Sequence, residues 1–309
     1  MLKIFTDTTD FNIKEPTVVA IGKFDGDHKG HQKIFDIMRS VKKEKGFKAA
    51  VFTFYNSDFK QISPIEEKRK LMEAEGIDYC IEYPFNESTK AIKAADFLND
   101  ILINKLNMKC IVAGTDCSFG YNREGNADFL NAYSKSKGFD VIIIEKIKSG
   151  LNDISSTYIR SLLEEGRAEE VNDLLGHPYT LSGVVEEGNR IGEAKLGFAT
   201  ANIYPEEDKF IPKSGVYAVI VDTGNNVLYG GMTNIGINPS IVDDDLGHRR
   251  RIETHIFDFN EDIYGRKINV MLLKYIRDEI KFDSIDELKK QLILDERNIR
   301  TIVGPLMER

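Results

Sequence analysis

The spacing of apolar positions changes near Gly176 and divides the chain into two differently patterned halves. In the first half, predicted strands at residues 18–21, 49–54, 79–81, 110–113 and 141–144 alternate with predicted helices at 30–45, 91–106 and 155–163. Ser63, Pro64 and Glu66 form a predicted capping box with proline at the first helical position, and Gly76 ends that helix. Strands separated by helices predict a parallel sheet with helices on both faces.

The second half carries closely spaced strand-like runs with one helix at the end. The runs lie at residues 179–185, 216–221, 227–232, 252–259 and 268–273, and the amphipathic helix at 284–299. Gly224, Asn225 and Asn226 separate two of these runs in the way a hairpin turn does. This pattern predicts a small antiparallel β-barrel followed by a helix. We therefore expect an α/β domain over residues 1–176 and a β-barrel domain over 177–309.

The composition of the 309 residues is typical of a globular protein and disfavours several other classes. Lysine and arginine number 42 against 50 acidic residues, so 42 − 50 gives a net charge of −8, which disfavours a nucleic-acid partner. The cysteines number three, which is odd, and they lack a C-x-x-C pair. The sequence therefore supports neither a disulfide framework nor a structural zinc site. The sequence shows no secretory signal and no apolar run of the ~18 residues that a membrane span needs. We expect a cytoplasmic protein without a membrane partner; oligomerisation stays open.

The loop between the first buried strand and the first predicted helix is glycine-rich and carries two histidines, His28 and His31. At such a position free backbone N–H groups and the helix dipole favour an anion, and imidazoles can donate to phosphate oxygens. A tight turn with two solvated histidines is the competing interpretation. A zinc site is less favoured because no third ligand lies at the required spacing. The candidate nucleotide-binding residues of this loop are Gly22, Phe24, Asp25, Gly26 and Gly30.

A second signal is a run of hydroxyl residues that opens a helix, with an arginine about one turn later. The run comprises Ser155, Ser156 and Thr157, and the arginine is Arg160. Serine and threonine are good N-caps, so a plain helix cap is the simpler interpretation of this run alone. The same arrangement offers hydroxyls, free amides and a guanidinium to a polyphosphate. Together the H-x-G-H and ISSTxxR motifs resemble those with which the nucleotidylyltransferase superfamily binds ATP.

A third signal lies in the β-rich half. A glycine-flanked loop, with candidate nucleotide-binding residues Gly188, Gly192, Lys195 and Gly197, precedes the polar pair Thr200 and Asn202. A β-turn and a capped strand are the competing interpretation of this segment. Further on, alternation along a strand places Glu253 and His255 on the face opposite Ile252 and Thr254. A carboxylate there is either a solvated outer-face residue or, at a barrel mouth, a general base.

Taken in order along nearly the whole chain, these blocks resemble the prokaryotic bifunctional riboflavin kinase/FMN adenylyltransferase (FAD synthetase) family. Further matching blocks are Gly114-Thr115-Asp116 with Phe119-Gly120, Gly215-Val216-Tyr217, Asn234 to Pro239 and Tyr264-Gly265. The resemblance implies a Rossmann-like nucleotidylyltransferase domain followed by a riboflavin kinase barrel. It also implies ATP, riboflavin and FMN as substrates and Mg²⁺ as the metal.

The resemblance also implies a role for individual residues. In the first domain His28 and His31 would stabilise phosphate charge and Asp116 would position the substrates. Arg160 and the three hydroxyls before it would hold the β- and γ-phosphates. In the second domain Thr200 and Asn202 would hold Mg²⁺–ATP, and Glu253 would accept the proton of the ribityl hydroxyl that attacks the γ-phosphate.

Several positions depart from the family pattern, chiefly in the flavin-binding region of the first domain. Residues 54–58 read Phe-Tyr-Asn-Ser-Asp where the family carries an aromatic-Pro-His-Pro type segment. Cys117 replaces an aromatic residue, Tyr158 replaces an arginine, and Ala199 replaces the proline of the PTAN motif. One alternative is therefore a monofunctional riboflavin kinase whose first domain has lost or changed its activity. Another is a flavin- or nucleotide-binding regulator without turnover.

Overall fold

The structure, a computed structural model, describes residues 1–55, 60–187, 198–225, 227–237 and 250–307. These residues form two compact units, Met1–Ser156 and Thr157–Arg309. Four candidate nucleotide-binding residues lie outside the described residues: Gly188, Gly192, Lys195 and Gly197.

A six-stranded parallel sheet forms the centre of the first unit. Its strands are β1 (Lys3–Thr6), β2 (Thr17–Ile21), β3 (Lys48–Tyr55), β4 (Tyr79–Pro84), β5 (Met108–Gly114) and β6 (Asp140–Ile144). They lie in the order β1-β4-β3-β2-β5-β6, and all neighbours pair in parallel. A short hairpin of β7 (Lys148–Ser149) and β8 (Asn152–Asp153) follows. The order reverses direction beside β2, which places the β2 and β5 ends at a switch point where ligands bind in such sheets.

Helices cover both faces of this sheet, as the alternating pattern predicts. They are α1 (Lys29–Lys45), α2 (Ile65–Ala74), α3 (Glu87–Lys90), α4 (Ala94–Asp96), a π-helix (Phe97–Lys105) and α5 (Ala127–Lys137). One core packs Phe35 and Met38 of α1 against one face, and the other packs Leu98 and Leu130 against the opposite face. Continuous apolar strands are needed for this double burial, which explains why the strands read as unbroken hydrophobic runs.

The structure adds β1, α3 and α5, which the sequence pattern did not predict, and it corrects two predictions for the first unit. The predicted capping box at Ser63 is wrong: Pro64 is the N-cap of α2 with no side-chain cap, and Lys68 N–H donates to the Pro64 carbonyl. Ser63 is instead buried, and its N–H donates to Asp25 Oδ1. The single helix predicted over 91–106 is divided into α4 and the π-helix, which meet at Phe97.

The second unit contains a closed antiparallel barrel. Its strands are β9 (Tyr179–Glu186), β10 (Ala201–Ile203), β11 (Gly215–Asp222), β12 (Leu228–Ile237), β13 (Arg250–Ile256) and β14 (Lys267–Arg277), and its helices are α6 (Ser156–Glu165), α7 (Ala168–Leu175) and α8 (Ile285–Met307). The barrel closes in the order β10-β13-β12-β11-β14-β9. The helix α8 packs Ile299 and Val303 against the outer barrel face, on Ala218 and Met232. It runs beyond the predicted end at 299 because Val303 continues its buried face.

Candidate active sites

The first candidate site lies where β2 ends and α1 begins. His28 is the N-cap of α1, and its Nδ1 accepts a hydrogen bond from His31 N–H at 3.4 Å. The two imidazole rings stack with centroids 3.7 Å apart, and Phe24 lies against His31 at 5.1 Å. Both predicted histidines therefore meet at a helix N-terminus, where backbone N–H groups and the helix dipole favour an anionic ligand.

Burial keeps both imidazoles neutral at pH 7. Desolvation lowers the pKa of His28 to about 4, although the nearby carboxylates of Asp25 and Asp116 oppose that shift. Desolvation, together with the neighbouring His28 and Lys68, lowers the pKa of His31 well below its usual value. A neutral imidazole still has one N–H to donate, so the pair can hydrogen-bond phosphate without holding a permanent charge. The buried Nδ1 of His31 has no hydrogen-bond partner among the described residues.

Two glycines give the loop its close packing. Gly26 has φ +96°, and a Cβ there would lie 2.8 Å from Cγ2 of Ile62. Gly30 lies close to the first histidine, since a Cβ there would lie 3.0 Å from His28 Nδ1 and would require that ring to shift by a few tenths of an ångström. Side chains at these two positions would thus crowd the segment before α2 and the imidazole of His28.

The structure joins the first two sequence motifs through Asp25. Its carboxylate accepts from Ser63 N–H at 3.0 Å, and its carbonyl accepts from Ser156 Oγ at 2.8 Å. Ser155 and Ser156 therefore lie beside the glycine-rich loop, although 131 residues separate Asp25 from Ser156. Thr157 and Arg160 follow on α6 and belong to the second unit.

Three charged side chains near this site, Asp27, Lys146 and Asp153, were not singled out from the sequence. Asp27 is buried, its Oδ1 has no hydrogen-bond partner among the described residues, and desolvation raises its pKa to about 7. Lys146 forms ion pairs with Asp116 at 3.1 Å and with Asp153 at 3.4 Å. Lys146 follows β6 and Asp116 follows β5. Ligands of parallel sheets bind at the carboxyl ends of the strands, so this position is the signal that would have found the Lys146–Asp116 pair.

The second candidate site is a cavity of ≈ 740 Å³ on the outer face of the barrel, bordered by α8. Thr200, Asn202, Glu253 and His255 line it together. Along β13, Ile252 and Thr254 are buried while Glu253 and His255 are partly exposed, as the alternation predicts. Because the buried set faces the barrel interior, Glu253 points from the outer face into this cavity.

A hydrogen-bonded chain connects the candidate base with the candidate metal ligand. Arg251 forms an ion pair with Glu253 through Nη2, and its Nε donates to Asn202 Oδ1 at 2.8 Å. Asn202 stands directly opposite Glu253 in the β10–β13 register. Sequence reasoning missed Arg251, although the two-residue period of β13 places it on the face of Glu253. His255 is held separately, by a 2.8 Å contact with the Ala199 carbonyl and by the Phe198 ring at 4.9 Å.

The donor set fits a magnesium ion that is shared with a nucleotide. The Thr200 hydroxyl and the Asn202 amide are hard oxygen donors, and Mg²⁺ binds few protein ligands besides substrate phosphates and water. Asn202 Nδ2 donates to the Thr200 carbonyl at 3.3 Å, and Arg251 occupies one lone pair of Oδ1. The second lone pair remains for the metal. Within the described ranges no cluster of three His, Cys, Asp or Glu side chains forms an all-protein metal site.

Comparison with known proteins identifies relatives for both units. The FAD synthetase family profile matches residues 10–158, and the riboflavin kinase family profile matches residues 175–303. A bifunctional riboflavin kinase/FMN adenylyltransferase of Listeria monocytogenes is 35% identical over 96% of this chain and 95% of its own. The protein of the same name from Escherichia coli K12 is 33% identical over 94% of each chain.

A solved structure shares the fold over the same extent. The crystal structure of a macrolide-efflux protein from Streptococcus pneumoniae matches with a TM-score of 0.87 and 33% identity, covering 97% of this chain and 98% of that one. Across the part of the chain that the structure describes, no helix combines the length and apolarity needed to cross a bilayer.

Proposed function

The chain belongs to the family of bifunctional riboflavin kinase/FMN adenylyltransferases, and we propose from this premise how its residues divide the two reactions. It phosphorylates riboflavin to FMN with ATP, and it transfers the adenylyl group of a second ATP to FMN, releasing pyrophosphate. We assign the kinase step to the cavity beside Glu253 and the adenylyl transfer to the loop that carries His28 and His31.

In the adenylyl transfer, an oxygen of the FMN phosphate attacks the α-phosphate of ATP. His28 and His31, neutral at pH 7, donate N–H groups to the phosphates, while the N-terminus of α1 contributes its dipole. Ser155, Ser156, Thr157 and Arg160 hold the β- and γ-phosphates that leave as pyrophosphate. Asp116, held by Lys146 at 3.1 Å, positions the substrates at the end of β5.

In the kinase step, the ribityl hydroxyl attacks the γ-phosphate of ATP, and Glu253 accepts its proton. ADP leaves with the electrons of the broken bond. Thr200 and Asn202 would hold Mg²⁺, which would neutralise phosphate charge when bound. The lining of the cavity by Thr200, Asn202 and Glu253 together is the observation that carries this assignment.

The test is a chromatographic product assay on the purified full chain with riboflavin, ATP and Mg²⁺, followed by the same assay from supplied FMN. We expect FMN to appear first and FAD afterwards, and FAD to form from supplied FMN. FMN production without any conversion of supplied FMN would support the monofunctional alternative and assign the change to the first unit. Tight nucleotide binding with neither product would instead support a regulator without turnover.

We further propose that the enzyme works in the cytoplasm on small molecules and needs no nucleic acid or membrane. The acidic composition, which disfavours a nucleic-acid partner, supports the part of this proposal that concerns nucleic acid. We keep the domain boundary near Gly176 as a proposal. Residues 157–175 group with the second compact unit, while the riboflavin kinase profile begins at residue 175.

A further inference from the structure

Among the described residues that line the cavity, Arg251 is the side chain whose contacts reach both the candidate base Glu253 and the candidate magnesium ligand Asn202. Its guanidinium bonds the carboxylate of Glu253 with Nη2 and the amide oxygen of Asn202 with Nε. The Arg251 side chain is 15% exposed, against 35% for Glu253, so the arginine is the more buried partner of this ion pair. The other described arginine that lines the cavity, Arg277, donates both Nε and Nη2 to Asp295 instead.

These two contacts constrain side chains that β-pairing alone leaves free to rotate. The register fixes the backbones of Asn202 and Glu253 opposite each other, but a carboxylate and an amide on an outer face retain several rotamers. A planar guanidinium with two N–H groups in a fixed fork can hold both at once. The partners of metal ligands orient those ligands in this way in many metal sites.

We propose that Arg251 is a positioning residue of the kinase reaction, which holds the proton acceptor Glu253 and the magnesium ligand Asn202 in their working orientations. The inference rests on the proposed kinase assignment and adds a residue that neither motif contains. Arg251 contacts only one lone pair of Asn202 Oδ1 and only one carboxylate oxygen of Glu253. The other lone pair and the other oxygen are not used by the arginine. The arginine therefore orients both groups without blocking either.

The opposite role for the same contacts is inhibitory, and an arginine in that role is called a latch. In that role the guanidinium would compete with Mg²⁺ for Asn202 and with the ribityl hydroxyl for Glu253, and it would have to leave before catalysis. The two roles differ in sign, because removing a positioning residue weakens metal-nucleotide binding and catalysis, whereas removing a latch strengthens them.

The experiment compares Arg251→Met, Arg251→Lys and the control Arg266→Met in the full chain. Arg266 is an exposed arginine of the same unit whose carboxylate contact, with Glu261, is 3.9 Å long. Calorimetry measures ADP binding with Mg²⁺ and with EDTA, and steady-state assays measure kcat and KM for riboflavin phosphorylation. Adenylylation of supplied FMN by the same preparations reports on the first unit, and thermal unfolding followed by circular dichroism reports whether the barrel that carries each substitution is folded.

We expect Arg251→Met to weaken Mg²⁺-dependent ADP binding and to lower kcat by about 10–100-fold each, with little change in ADP binding in EDTA. Arg251→Lys, which keeps the charge but lacks the fork, should recover only part of both losses. Wild-type values in Arg251→Met, tighter Mg²⁺–ADP binding, or full recovery in Arg251→Lys would each overturn the proposal. A wild-type chain that makes no FMN would overturn the kinase assignment instead, which separates the two failures.

Discussion

Replacing Glu253 by glutamine tests the division of labour between the two sites most directly. Glutamine has the same shape as glutamate, and its carbonyl can still accept a hydrogen bond from Arg251. It cannot take a proton from the attacking hydroxyl at neutral pH. We therefore expect FMN formation from riboflavin to fall by about 10²–10⁴-fold, or roughly 3–5 kcal/mol of transition-state stabilisation.

The stability cost of this substitution is too small to produce that loss by unfolding. The Glu253 side chain is 35% exposed, and an ion pair at such a site contributes at most about 1 kcal/mol. A folded barrel typically has several kcal/mol in reserve. Activity should therefore fall while the thermal midpoint changes by only a few degrees.

The assay follows both products by chromatography, starting once from riboflavin and once from FMN. Glu261→Gln is the matched control because Glu261 lines the same cavity and is more exposed. We expect Glu253→Gln to convert supplied FMN to FAD at the wild-type rate while making almost no FMN from riboflavin. A rate of FMN formation within threefold of wild type would refute Glu253 as the proton acceptor, and a parallel loss of both activities would refute the separation of the sites.

The remaining predictions concern the first unit. His31→Ala should abolish FAD formation and leave riboflavin phosphorylation intact in the same product assay; loss of both in a folded chain would contradict the assignment. In an Asp27→Asn background, which removes the opposite pH dependence of Asp27, acidification from pH 6.5 to pH 4 should destabilise the first unit, because His28 takes up a proton in the unfolded chain while burial holds its folded-state pKa at about 4; a flat denaturation profile over this range would exclude that cause. Asp27→Asn should stabilise the protein at pH 8 by up to roughly 4 kcal/mol and have little effect at pH 4, since burial raises the pKa of Asp27 to about 7 and its charged form is destabilising above that value; an equal gain at both pH values would point to another cause. Glu82→Ala should lower stability by about 3–5 kcal/mol in chemical denaturation, because it leaves Arg69 without the carboxylate that accepts its Nε and Nη2 at 2.8 Å and 2.6 Å; a change under 1 kcal/mol would show that the pair is not a net stabiliser.

The sequence by itself determined the features that depend on neighbours along the chain. The alternation of strands and helices predicts the parallel sheet, because strands that are apolar on both sides need a sheet whose two faces are covered by helices. The alternation along β13 placed Glu253 and His255 on one face, since successive side chains of a strand point to opposite sides. The position of His28 at the start of α1 follows from the glycine-rich turn before it, which is also a local feature.

Only the tertiary structure decided the features that join distant parts of the chain. The bond from Ser156 Oγ to the Asp25 carbonyl and the bond from Arg251 to Asn202 connect residues that are far apart in sequence, and no local period encodes such pairs. A two-residue period tells which residues share a face, but the packing of α8 decides that the face of Glu253 borders a cavity on the outside of the barrel. The neutrality of His28 has the same origin, because desolvation depends on how much protein surrounds the imidazole and that is a property of the folded chain as a whole.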